Sequence, residues 1–223
     1  MEDIRRNIRN YIDTLPPHVK LVAVSKFHPA EAISIAYDAG QRIFGESRAN
    51  ELVEKAKILP SDIQWHFIGH LQTNKVRAIL PFVALVHSVD SQRLLSVIDD
   101  ESKRIGRVTD VLLQVHVAQE ETKFGFMPDE LLGFVGSGAI KDMNNVRICG
   151  VMGMATNTDD VMRIEADFVA IRQVYDALKA SEFADEACFE IVSMGMSDDY
   201  QIAINHGSNM VRIGSSIFGV REY

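Results

Sequence analysis

A lysine that closes an alternating apolar run is a place where an amine can become a nucleophile. In LVAVSK, Val22, Val24 and Lys26 share one face of an extended segment. If the two valines point into a core, Lys26 points into its mouth. Partial desolvation there lowers the pKa of the amine and raises the neutral fraction that can attack a carbonyl. A lysine at a strand end can also lay its stem on apolar surface and carry its charge to water. The run alone leaves both open.

Two further segments, SMGMSDD (193–199) and VRIGSS (211–216), combine glycine with serine. Glycine lets backbone N–H groups approach an anion closely, and the hydroxyls of Ser193, Ser215 and Ser216 add donors. SMGMSDD also reads as a turn in which Ser197 or Asp198 caps the helix that follows. Arg212 faces the same side as Gly214 in a run that is otherwise apolar, and a buried charge needs a partner. That partner is either a structural carboxylate or the ring nitrogen of a cofactor, and the sequence does not choose.

His66 and His70 flank Phe67, Ile68 and Gly69, a spacing that suits a metal on a helix and not on a strand; no third ligand is near, so no metal is expected. His70 is expected near a strand end and His66 deeper. Lys123 in ETKFGF is a second basic group, with solvent as its simplest surroundings. Cys149 and Cys188 lie in apolar runs and read as core thiols.

These residues need a scaffold that gathers strand ends. Apolar β-type runs recur at 21–26, 42–47, 64–70, 85–90, 110–117, 147–154, 188–196 and 210–219. Between them lie amphipathic stretches, such as 30–39 after Pro29, 91–105 opening on Ser91, 159–181, and a last helix over 198–205 ending at Gly207. Residues 1–20 read as an extra N-terminal helix and lead-in. Eight strands alternating with helices predict a (β/α)₈ TIM barrel, and the lack of a GxGxxG turn after the first run argues against an open dinucleotide-binding sheet. One domain spanning 1–223 is the simplest organisation.

In such a barrel the site lies at the C-terminal strand ends, with phosphate held by the loops after strands seven and eight. The candidates are then Ser25 and Lys26, Glu46 and Ser47, Gly69 and His70, residues 193–196 with Ser193 and Met194 among them, and Arg212, Gly214, Ser215 and Ser216. A net charge of −8 over 223 residues, with no basic stripe, predicts no nucleic-acid partner, so an anionic ligand needs a local site. No apolar run of membrane length and no signal-peptide core are present, and a cytoplasmic monomer is expected.

The segments LVAVSK, FGES, WHFIGHLQTNK, SMGMSDDY and VRIGSSIFG together resemble the pyridoxal phosphate homeostasis proteins, whose barrel is similar to the N-terminal domain of alanine racemases. The resemblance runs from about residue 4 to the C-terminus. It implies that Lys26 carries pyridoxal 5′-phosphate as a Schiff base, that Arg212 faces the pyridine nitrogen, and that Ser193, Gly214 and Ser215 hold the phosphate. Ser47 and Met194 are further cofactor contacts by the same resemblance. Where the family commonly has FGEN, this chain has Ser47, with Asn50 nearby as a substitute.

Alanine racemases add a β-rich domain and a tyrosine from the partner subunit, whereas this chain ends at Tyr223 soon after the eighth run. The resemblance therefore implies a non-catalytic cofactor-binding protein that sequesters the cofactor or delivers it to apo-enzymes in transient encounters. Two alternatives remain: a racemase-like enzyme, which needs a second acid/base opposite Lys26, and a Schiff-base aldolase acting on a sugar phosphate.

Overall fold

The computed structural model describes residues 2–119 and 124–219; Lys123 and Tyr223 lie outside them. Eight parallel strands close into a barrel in chain order: β1 (Lys20–Val24), β2 (Ile43–Glu46), β3 (Gln64–Phe67), β4 (Val83–Val89), β5 (Thr109–Val115), β6 (Val146–Gly153), β7 (Ile191–Ser193) and β8 (Met210–Ile213). Closure is made by β1 against β8, with Val22 opposite Arg212. Outside run α2 (Ala30–Asp38), α3 (Ala49–Ile58), α4 (Val76–Ile79), α5 (Gln92–Arg104), α6 (Pro128–Gly136), α7 (Val161–Ala180) and α8 (Tyr200–Asn205). The extra helix α1 (Glu2–Thr14) precedes β1, and the single turn α9 (Ser215–Phe218) follows β8.

The two faces of each strand bury different things. Leu21 and Ala23 of β1 join the large core under the helices, with Phe44, Trp65 and Phe168. Val22 joins a smaller cluster with Leu85, Leu112, Cys149, Met152 and Met210, contributed by strands alone and so filling the barrel interior. Both faces of a parallel strand are thus dry, which is why these runs read as continuously apolar. Helix starts follow local chemistry: the Ser91 hydroxyl accepts from Leu94 N at 3.3 Å, and the Asp160 carboxylate accepts from Met162 N at 3.0 Å.

Several strands are shorter than their apolar runs. β7 spans Ile191–Ser193 and not 188–196, because Gly195 turns the chain at φ +94 and the Asp199 carboxylate accepts from Met196 N at 2.5 Å. That turn also delays the last barrel helix, which starts at Tyr200 and not at Asp198. β8 stops at Ile213, where the backbone of Gly214 turns into α9. Cys149 is buried and its thiol is pushed up to about 12 by burial, while Cys188 is half-buried; both are free. Among the described residues, no helix is long and apolar enough to cross a membrane, and no cluster of three His, Cys, Asp or Glu side chains could hold a metal.

Candidate functional site

A cavity of about 580 Å³ opens at the C-terminal mouth of the barrel, lined by Val24, Lys26, Ser47, Gly69, His70, Gln114, Met196, Ser197, Arg212, Gly214 and Ser215 among others. Its volume lies within the range of small-molecule and cofactor sites. Val24 and Lys26 both face it, as the alternation in LVAVSK requires, and Lys26 is half-buried. The loops after β7 and β8 are tied together at its rim: Gly214 N donates to Ser197 Oγ at 3.4 Å, and Ser215 Oγ donates to the same oxygen at 3.2 Å. Loops after β2 and β3 meet closely on the other side. A Cβ on Gly69 would lie 2.5 Å from the Ser47 carbonyl oxygen, so only glycine allows that approach.

Arg212 is 4% exposed and has no direct carboxylate partner among the described residues. One guanidinium nitrogen donates to the carbonyl and the hydroxyl oxygen of Ser193, at 2.8 Å each, and the other to the Gly153 carbonyl at 3.0 Å. Burial pulls its pKa down to about 10, with Asp199 opposing the fall, so it stays cationic at neutral pH. Three of five N–H groups are used among the described residues, leaving two donors and no acceptor for a ligand in the cavity.

Below Arg212 a polar chain crosses the barrel interior. Ser193 Oγ lies 3.1 Å from His87 Nδ1, and His87 Nε2 lies 2.9 Å from His66 Nδ1. Burial holds both imidazoles neutral, pushing His66 down to about 3 and His87 well below its ordinary value. His70 sits at the mouth, where its Nδ1 is 2.7 Å from Asp90 Oδ2 and its ring stacks on Phe124 at 3.7 Å.

The structure gathers Lys26, Ser47, Gly69, His70, Met196, Arg212, Gly214 and Ser215 around one cavity and places Ser193, Met194, Ser25, Glu46 and Ser216 outside its lining. Ser193 is fully buried beneath the cavity, occupied by Arg212 and His87. Met194 packs into the core under the helices, since it alternates with the inward-facing Ser193. Ser25 and Glu46 also point outward, towards α3, where Ser25 Oγ donates to Glu46 Oε1 at 2.6 Å. Ser216 bonds Tyr11 of α1 at 2.8 Å. Asn50 is exposed and lines a neighbouring cavity with Arg48, Gln72 and Lys75, so it does not stand in for the missing family asparagine. Gln114 and His87 escaped the sequence reading, because a polar residue inside a strand carries no sign of its role until its neighbours across the barrel are known. Ser197 was legible within SMGMSDD, as a cap and not as a cavity residue.

Residues 1–222 match the family model of the alanine racemase N-terminal domain. A pyridoxal phosphate homeostasis protein of Pasteurella multocida is 35% identical over 208 residues, covering 92% of this chain and 88% of that one. One from Helicobacter pylori is 38% identical over 202 residues, covering 90% and 87%. Among solved structures, PipY of Synechococcus elongatus PCC7942 with PLP bound superposes with a TM-score of 0.87 at 34% identity, over 97% of this chain and all of that one.

Proposed function

The chain belongs to the pyridoxal phosphate homeostasis proteins within the alanine racemase N-terminal domain family, and on that premise we propose that it binds pyridoxal 5′-phosphate through Lys26 and serves vitamin B6 homeostasis with little or no turnover of its own. The observation that carries this reading is the shared cavity of Lys26, Arg212, Gly214 and Ser215. The residues present fit the group. An amine, a cationic donor set without acceptors, and a serine-glycine rim match an aldehyde, a pyridine nitrogen and a phosphate in turn.

When bound, pyridoxal phosphate supplies an aldehyde for an amine and an electron-withdrawing ring. Lys26 provides the amine from a half-buried position at the end of β1. Arg212 offers only donors, so a ring nitrogen beside it would stay unprotonated, which weakens the ring as an electron sink. Ser215, Ser197 and the loop backbone would hold the phosphate, with Ser47 lining the same cavity from the end of β2. Ser193 acts beneath them by holding Arg212. We place the whole chain in one cofactor-binding domain, in a cytoplasmic monomer that passes the cofactor to apo-enzymes transiently.

The protein as purified should be yellow or become so with pyridoxal phosphate. Borohydride should fix the cofactor to Lys26, and Lys26→Ala should abolish the adduct. A wild-type protein that takes up no cofactor would end this reading. A racemase-like reading rests on His70, an acid/base candidate that lines the cavity and is paired with Asp90. Rapid solvent-deuterium exchange at the Cα of an amino acid, lost in His70→Ala, would favour it.

A further inference from the structure

Lys26 is bracketed by a charge network on the outer face of the barrel. Lys55 of α3 is buried, with 8% of its side chain exposed, and donates to Glu46 Oε1 at 2.7 Å, to Glu51 Oε1 at 2.6 Å and to the Ser25 carbonyl at 2.9 Å. All three ammonium protons are thus used. Glu46 also takes the Ser25 hydroxyl, and Glu51 Oε1 takes the backbone N–H of Phe27 at 2.7 Å. The contacts therefore end on the main chain or side chain of the residues just before and just after Lys26.

The backbone there is not at rest. Phe27 has φ +68, the left-handed region that a bulky residue rarely enters, and it is the one non-glycine there among the described residues. Such a conformation persists only where the surroundings hold it, and it concentrates beside functional groups. Above the turn, the Arg48 guanidinium sits 4.4 Å over the Phe27 ring. Stability is a poor reason for the network. Buried ion groups are often replaced by apolar side chains without loss, and here Glu46 Oε2 is buried with no hydrogen-bond partner among the described residues.

We infer that Glu51, Lys55 and Glu46 form a positioning clamp that sets the backbone on both sides of Lys26 and so aims its amine into the cavity. Glu51 holds the N–H after the lysine, Lys55 holds the carbonyl before it, and Glu46 ties the two strand ends together. None of the three lines the cofactor cavity. Their effect on the cofactor passes through Lys26, and the inference rests on the proposed role of that lysine.

The test uses the full chain and pyridoxal phosphate itself, followed by its visible absorbance and by borohydride trapping. Glu51 keeps 20% of its side chain exposed, so Glu51→Ala should fold, with a melting temperature lowered by the lost acceptor and a single cooperative transition that shows the fold is kept. Losing the acceptor for Phe27 N–H should slow adduct formation about ten- to a hundredfold, as small misplacements of a reacting group do. Glu51→Gln keeps an acceptor oxygen and should recover most of the rate. Phe27→Gly keeps the N–H that Glu51 holds and relieves the left-handed strain, and should leave the rate near that of the wild type. A wild-type rate in a folded Glu51→Ala overturns the clamp, as does failure of Glu51→Gln to recover, or a Phe27→Gly as slow as Glu51→Ala. A wild-type chain that forms no adduct at Lys26 overturns instead the proposed function beneath it.

Discussion

Arg212 and Ser193 are joined twice, through the carbonyl and the hydroxyl oxygen of the serine at 2.8 Å each. With the guanidinium donating to that hydroxyl, the serine proton is free to point at His87 Nδ1, and we assign it there. His87 then carries its own proton on Nε2, aimed at His66 Nδ1. The arginine at the cavity is thus the first donor of a chain that ends deep in the barrel.

Ser193→Ala removes one acceptor of Arg212 and takes from His87 Nδ1 its hydroxyl partner. Such buried losses cost about 1–3 kcal/mol. Urea unfolding should show a fall of that size, and cofactor titration a weaker affinity, because the guanidinium keeps only carbonyl anchors. A variant as stable and as tight-binding as the wild type would remove this chain from the account of the site.

Stability should respond to pH through groups of opposite sign. His66 titrates near 6.5 when unfolded and is pushed down to about 3 in the fold, with His87 also well below its ordinary value, both by burial. Their contribution is present above pH 6.5 and lost on acidification, by about 1.4 kcal/mol per pH unit for each. Glu46 runs the other way. Burial raises it from 4.5 to about 7 against the pull of Lys55 and Ser25, so its contribution is present below pH 4.5 and lost as pH rises through 7. Between about pH 5 and 6, the two histidines outweigh Glu46, so stability falls on acidification. Glu46→Gln removes the opposing group and should steepen that loss by about 1.4 kcal/mol per unit. Denaturant midpoints across this window check it, and parallel curves for the two proteins would contradict it.

The barrel was legible because parallel strands buried on both faces leave eight apolar runs that no helix period explains. Lys26, Arg212, Gly214 and Ser215 were legible because the fold rule sends strand ends to one mouth. What the sequence hid were directions and partners. Glu46 ends β2 and Ser47 follows it, yet Glu46 turns to Lys55 while Ser47 turns to the cavity, since alternation sends neighbours to opposite faces. Strand ends were misjudged at β7 and β8 because Met194 and Met196, and Ile217 and Phe218, prolong the apolar runs, and only the positive φ of Gly195 and the break at Gly214 stop pairing.

Gly69 gives a steric test of the mouth. A methyl group there meets the Ser47 carbonyl at 2.5 Å and Ser47 Cβ at 2.7 Å, and main chain cannot swing aside as a side-chain tip can. Gly69→Ala should cost about 1–3 kcal/mol and push the β2 and β3 loops apart. Gly106→Ala is the control: φ is +68 but nothing lies within 4 Å of the added carbon, so only backbone strain is introduced. Both should lower the melting temperature, and only Gly69→Ala should weaken cofactor binding. Equal affinities would place Ser47 outside the site.

Ser47 itself departs from the asparagine that the resemblance leads one to expect. It is half-buried and borders the Lys26 cavity, whereas Asn50 is exposed and borders only the neighbouring one. An asparagine at 47 would bring two donors and a carbonyl oxygen to the cavity wall after β2, where serine offers one hydroxyl. One added hydrogen bond nets about 1 kcal/mol, which is about fivefold in affinity. Ser47→Asn should therefore bind pyridoxal phosphate about fivefold more tightly in an absorbance titration, and Asn50→Ala should leave the affinity unchanged. The opposite pattern, a loss at Asn50 and no gain at 47, would mean that the cofactor reaches towards α3 and that the wall has been assigned to the wrong residue.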